Sequence, residues 1–356
     1  YPNRLANPDL SWETSEQTNV GLDARFLRGR LSLTVDWYNK MTKNLLIAVP
    51  IKSILGFSTQ VQNAGSVKNT GIEAAIGWND QVGNFKYGIN WNMAWNKNKV
   101  TQVNTPNKFV EGGNDNLAQS TGIIARMEEG FPIGYFYGYK TDGVIQNAAD
   151  RDAYLKVNWK GDAKNSIQGA GIGAGDLKFV DVNGDGVIND LDKTYLGDPH
   201  PDITMGLSFN LGWKGLDFAV TAYGAFGQQV ARSYRKFSDG PVENYTTEVY
   251  EHWHGEGTGN KYPLLGTGST ANWMKISDIY IENASYVRIQ NVTLGYDFAH
   301  LLKNSPFQQL RLYVAAQNLW TFTGYKGMDP ENGKSISSEQ WVTGVEVGNY
   351  PQPRTY

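Results

Sequence analysis

The chain has 356 residues, among them 11 Trp, 20 Tyr and 40 Gly, with only 19% charged residues and a net charge of −3. No basic excess is available to neutralise phosphates, so nucleic acid is excluded as a partner, and the absence of cysteine rules out disulfides, thiolate metal sites and cysteine nucleophiles. No run approaches the roughly 18 to 20 apolar residues of a membrane helix. Strands remain as a way across a bilayer, because a barrel strand needs an apolar residue only at every second position.

Taken in chain order, period-two alternation recurs in pairs. Val20, Leu22, Ala24 and Phe26 are followed, after Arg28, Gly29 and Arg30, by Leu31, Leu33, Val35 and Trp37. That predicts a hairpin. Ile72, Ala74, Ile76 and Trp78 lead through a turn at 80–84 into Phe85, Tyr87, Ile89, Trp91, Met93 and Trp95. Ile203 to Trp213 and Leu216 to Ala222 form a third pair around Lys214 and Gly215. Val292 to Phe298 and Leu310 to Leu319 form a fourth.

The connections alternate in length: short at 28–30, 80–84, 214–215 and 299–308, long at 48–66, 97–201, 228–283 and 321–353. In an up-and-down antiparallel sheet this puts every tight turn on one rim and every long loop on the other, the asymmetry of outer-membrane barrels. A soluble β-sandwich also alternates apolar and polar residues, but it does not sort its connections this way. Aromatics gather at the strand ends, Phe26, Trp78, Phe85, Trp213, Phe218 and Phe298 near the tight turns and Trp37 and Trp95 near the long loops. Two such rings match interfacial girdles. The expected fold is all-β, a transmembrane antiparallel β-barrel wall with long extracellular loops.

Within the longest loop, residues 181–192 place Asp181, Asn183, Asp185, Asn189 and Asp192 at positions 1, 3, 5, 9 and 12, with Gly186 at 6 and the carbonyl of Val187 at 7. This is the ligand spacing of an EF-hand calcium loop, with Asp in place of Glu at the last position. The alternative is an Asx-rich turn without metal. Because no helix pair flanks it, a structural staple is expected rather than a sensor. His252 and His254 lack a third ligand at metal spacing, and no catalytic constellation of Ser, His and acid is evident. The glycine run 169–175 lacks the Lys-Ser/Thr of a phosphate loop and reads as a flexible loop. Trp159, Trp253, Trp273 and Trp341 in the loops are candidates to stack on a substrate or anchor a partner; equally they can pack the loops on one another.

Several strings resemble the SusC-like TonB-dependent transporters. They are 7–13 with 18–23, 35–40, 63–65 with 69–73, 176–186, 285–296, 316–319 with Tyr325 and 329–331, and 350–354. The matches run through the chain in family order. The resemblance implies that residues 1–356 are the C-terminal part of a barrel of about 22 strands, contributing roughly eight or nine of them, with 97–201 as an extracellular loop. It implies outer-membrane lipid as surroundings and the rest of the same barrel as neighbour. It also implies a SusD-like surface lipoprotein as lid, TonB acting through an N-terminal plug region not contained in this stretch, and import of an oligosaccharide or peptide rather than catalysis. The family's calcium loop matches 181–192. A passive porin or adhesive barrel, or a secreted calcium-stapled glycan-binding protein, are the competing expectations.

Overall fold

The computed structural model describes residues 5–52, 54, 56–57, 59–113, 122–232, 246–266, 271–301, 307–331, 341–348 and 350–356. Eight long strands form one antiparallel sheet in chain order: β1 (Thr14–Phe26), β2 (Leu31–Pro50), β3 (Thr59–Val82), β4 (Phe85–Val103), β5 (Ile203–Trp213), β6 (Leu216–Phe226), β7 (Tyr286–Asp297) and β8 (Arg311–Thr323). All four expected hairpins are present. The first long connection is shorter than expected, because β2 and β3 stay paired past a bulge near Leu45 as far as Pro50 and Thr59. Beyond β8, Thr355 and Gln317 exchange two backbone hydrogen bonds of 2.7 and 3.2 Å.

Register explains the alternation. Val20, Trp37, Ile72, Trp95 and Ile203 are successive partners across five strands, so their side chains share one face. Ile76, Trp91, Leu207 and Ala222 form a lower row on that face. Val82, Phe85, Trp213, Leu216 and Tyr296 close the rim of tight turns. Phe85 to Trp95 is ten residue steps, roughly 33 Å along the strand and about 25 Å in height at a ~40° tilt, the thickness of the apolar band of such barrels. Trp37 and Trp95 flank Ile72 in the uppermost row, where the outer girdle is expected.

The opposite face is polar, presenting Asp36, Glu73, Asn90, Asn92, Ser208, Thr221, Arg288 and Gln317. A sheet with apolar residues on one face and these on the other fits lipid outside and a wet lumen inside. The hairpin β5–β6 turns on Lys214 (φ 46°) and Gly215 (φ 90°), two left-handed residues that match the twist of the strands they join.

The long connections are not loose. Short strands Phe109–Gly112, Ala125–Glu128, Tyr135–Gly138 and Thr194–Gly197 form a four-stranded sheet, and Gln229–Arg232 lies between Ile281–Asn283 and Val345–Glu346 in a three-stranded one. A helix, Ala148–Val157, is capped by the Asn147 side chain accepting from the Asp150 N–H. Phe136, Tyr139, Leu177, Phe179, Tyr262, Trp273, Tyr280 and Val345 are buried in one core drawn from three connections. A smaller core of Ile47, Val49, Val67, Val100, Val110 and Met127 joins these loops to the tops of β2, β3 and β4. The loops therefore make a folded domain seated on the long-loop rim.

Candidate functional site

The oxygen-rich turn 181–192 is built into the loop domain from two sides. Ile188, at its eighth position, is buried in the core. Trp159, just past the helix, donates its backbone N–H to the Gly186 carbonyl at 2.7 Å, and the Tyr139 hydroxyl donates to Asp190 at 2.9 Å. Burial and this bond to Asp190 push the Tyr139 hydroxyl well above its ordinary value. Gly186 has φ 79°, a left-handed backbone that suits glycine at the sharp bend.

Inside the turn, Asp181 accepts from the N–H groups of Gly184 and Gly186, both at 2.7 Å. Asp185 accepts from Val187 at 2.8 Å, and Asp192 accepts from Val182 at 2.9 Å and Asn189 at 2.8 Å. Slight burial pushes the Asp181 carboxyl up, but the N–H groups of Gly186, Gly184 and Asp185 and the adjoining Asp192 outweigh it and hold it below the ordinary carboxylate value. Asp192 is fully buried. Two carboxylates in hydrogen-bond reach of each other repel unless a cation or a proton lies between them.

The donor types here, two acids side by side with Asn183, Asp185, Asn189 and a backbone carbonyl at Val187, suit a hard cation that prefers oxygen. Among the described residues no three acidic or imidazole side chains converge closely enough to hold an ion by themselves. The fit to calcium rests instead on the mixed set, each carboxylate oxygen keeping a lone pair beyond its N–H bond.

The four candidate tryptophans take packing positions. Trp159 and Trp273 are buried, 3% and 4% exposed. Trp159 meets Tyr154 edge-on, with ring centres 5.7 Å apart, and Tyr280 donates to the Trp273 carbonyl at 2.6 Å. Trp253 packs against the same core, and Trp341 touches both cores and so joins them. All four pack against a loop core, and Trp159 and Trp273 are buried. The glycine run is pinned rather than flexible, with Ile172 buried at its centre and the Gly173 N–H donating to Asp176 at 2.8 Å. His252 and His254 bind backbone carbonyls, of Pro263 at 2.7 Å and of His252 itself at 2.9 Å.

Pattern reading missed how the loop domain is fastened to the wall. Arg288, on the polar face of β7, is 4% exposed and pairs with Asp329 at 2.6 Å and with Glu331, while its Nε donates to Thr321 at 3.0 Å. The connection after β8 is thereby tied into the lumen side. Farther out, Arg232 is buried between Glu248 at 2.7 Å and Glu282 at 2.6 Å, and the Tyr325 hydroxyl donates to the fully buried Glu346. The Arg232 set lies within the connection between β6 and β7, and the Tyr325–Glu346 pair within the segment after β8.

Residues 1–319 match the family described as TonB dependent receptor-like, beta-barrel. The chain belongs to that family. TonB-dependent receptor P3 of Formosa agariphila is 31% identical over 99% of this chain and 34% of its own length. TonB-dependent receptor SusC of Bacteroides thetaiotaomicron is 28% identical over 98% of this chain and 32% of its own. Among solved structures, the RagAB peptide transporter superposes with a TM-score of 0.73 and 25% identity, over 98% of this chain and 34% of that one. This chain thus spans about a third of the length of the relatives it matches. As a TonB-dependent receptor-like barrel it is an outer-membrane protein, and its relatives are receptors and transporters rather than enzymes. The eight-stranded sheet is one arc of such a barrel, with the tight turns on one rim and the loop domain on the other.

Proposed function

We propose that this chain supplies barrel wall and extracellular loop domain to a receptor that imports an oligomeric nutrient, a peptide or an oligosaccharide, under a SusD-like lid lipoprotein and with energy from TonB. The single observation that carries the reading is the folded loop domain tied to the lumen face through Arg288, Asp329 and Glu331. A pore that only leaks solutes has no need of an extracellular domain with its own core. Similarity to SusC and to a peptide transporter along nearly the whole chain supports the same reading and favours peptide over other cargo. Cells carrying the complete receptor are expected to accumulate labelled oligopeptide, and to lose that uptake when the inner-membrane proton gradient is collapsed. Uptake that survives the collapse would make the protein a passive porin; surface binding without uptake would make it an adhesin.

A calcium staple belongs to this reading. Asp181, Asn183, Asp185, the Val187 carbonyl, Asn189 and Asp192 would hold the ion, which would supply positive charge to the acids of a turn that Ile188 and Trp159 fasten to the core. Native mass spectrometry of the complete receptor is expected to find one calcium, lost in Asp181→Ala and Asp185→Ala together with protease resistance around residues 150–200. An ion-free wild-type protein overturns the staple and leaves import standing.

A further inference from the structure

Immediately above the outer girdle, the lipid-facing side of β3 and β4 turns basic. Lys97 and Lys99 follow Trp95 at two-residue steps on β4 and therefore point to the same side. Lys68 is the direct cross-strand partner of Lys99. The residues that alternate with them, Val67 and Val100, are buried under the loop domain on the other face, while Lys97 and Lys99 are exposed. Two like charges placed opposite each other across a strand pair destabilise it, so the arrangement calls for a counter-charge.

The described residues hold none: no carboxylate among them stands within ion-pair distance of Lys68, Lys97 or Lys99. Of the acids nearby, two already hold hydrogen-bond or ion-pair partners. Glu16 pairs with Lys43 at 2.7 Å. Asp198 accepts from the Tyr195 hydroxyl and the His200 N–H, both at 2.9 Å. Asp198, His200 and Asp202 line, with Lys97 and Lys99, a cleft of about 140 Å³ beside the β4 edge.

Height decides what can reach the patch. Lys99 lies four residues past Trp95, roughly 13 Å along the strand and about 10 Å in height at a ~40° tilt. Lys97, two residues past Trp95 and about 5 Å above it, stands in the headgroup layer, which extends roughly 5 to 8 Å beyond the hydrocarbon on each side. Lys99 and its partner Lys68 stand just above that layer, within reach of it through their long side chains. We infer that Lys68, Lys97 and Lys99 form a binding site for the phosphorylated sugar headgroup of an outer-leaflet glycolipid, whose acyl chains lie along Trp95, Ile72 and Trp37 below. Lysines at an anionic lipid surface act as point charges that each strengthen binding about fivefold.

The test is native mass spectrometry of the complete receptor in detergent, titrated with bisphosphorylated lipid A and with the same lipid dephosphorylated. Wild type is expected to retain the phosphorylated lipid, and the triple variant Lys68→Gln, Lys97→Gln, Lys99→Gln to bind it roughly 100-fold more weakly, about fivefold for each lysine. The triple Arg variant keeps the charge and should keep binding, and Lys43→Gln, whose lysine already has Glu16, should change little. Heat-modifiable migration on gels confirms that each variant still forms a barrel. Equal retention by the Gln triple, or equal retention of the dephosphorylated lipid, overturns the inference. A Gln triple that no longer forms a barrel, beside an Arg triple that does but has lost the lipid, overturns it too.

Discussion

The wall and the loop domain use the same kinds of residue to opposite ends. On the wall, Trp213, Leu294 and Val314 show 52%, 50% and 73% of their surface, the kind of exposed apolar side chain that a soluble monomer keeps out of large patches. In the loop domain, Phe136, Tyr280 and Ile124 show none. The wall's side chains gain their stability from lipid and from the next strand, and the ladder of backbone hydrogen bonds holds it together. The loop domain carries a core of its own. The two regions should therefore fail separately, and mutations in each give a direct way to break that claim.

The largest effect is expected from Phe136→Ala in the loop-domain core, a loss of about 3–5 kcal/mol. Protease added to intact cells should then cut between residues 105 and 200, while the barrel keeps its heat-modifiable migration. Loss of the barrel as well would mean that the loop domain is part of the wall's folding unit. Leu207→Arg probes the other side. Leu207 lies between Trp91 and Ala222 in the middle of the apolar band, and a charge facing lipid there costs about 2–4 kcal/mol. Refolding into bilayers from urea should shift by that amount with protease protection of the loops unchanged. If the variant refolds like wild type, the face assigned to lipid is wrong.

Legibility in the sequence followed the same division. Each wall strand announces itself by period two, since one face meets lipid and the other water, and Val20, Trp37, Ile72 and Trp95 could be placed on one side before their register was known. The loop domain gives no such signal. Its core is assembled from residues far apart in sequence, Tyr139 with Ile188 and Trp273, in short strands and turns with no sustained period. For Trp159 and Trp273 the sequence accordingly left stacking on a ligand and packing equally open, although both are buried. The turn at 181–192 was legible because its ligands are contiguous. The Arg288 tether was not, because its partners Asp329 and Glu331 lie 41 and 43 residues away, and only the fold brings them together.

The smallest effect comes from a buried acid of the loop domain and separates the two regions by pH. Burial pushes the Glu346 carboxyl above its ordinary value, against the Tyr325 hydroxyl, the Met328 N–H, Arg232 and the Asp329 N–H, which all pull it down. A second acid, Asp278, is raised by burial in the same way, against hydrogen bonds from Thr141. For an acid with a raised folded value, the folded state binds more protons than the unfolded chain. Its contribution is therefore most favourable below the ordinary carboxylate range and declines as pH rises through the folded value. Asp181 and Asp190 are lowered instead, so their stabilising contributions are lost only at more acid pH, as pH falls through their folded values. As pH falls from neutral toward the ordinary carboxylate range, the loop domain should thus become modestly more resistant to protease, while the wall's refolding midpoint stays level. Glu346→Gln, which still accepts from Tyr325 and has no charge to bury, should flatten that dependence, and adding Asp278→Asn should flatten it further. A pH slope that survives both changes, or one shared equally by the wall, would show that these two acids are not what makes the loop domain respond to protons.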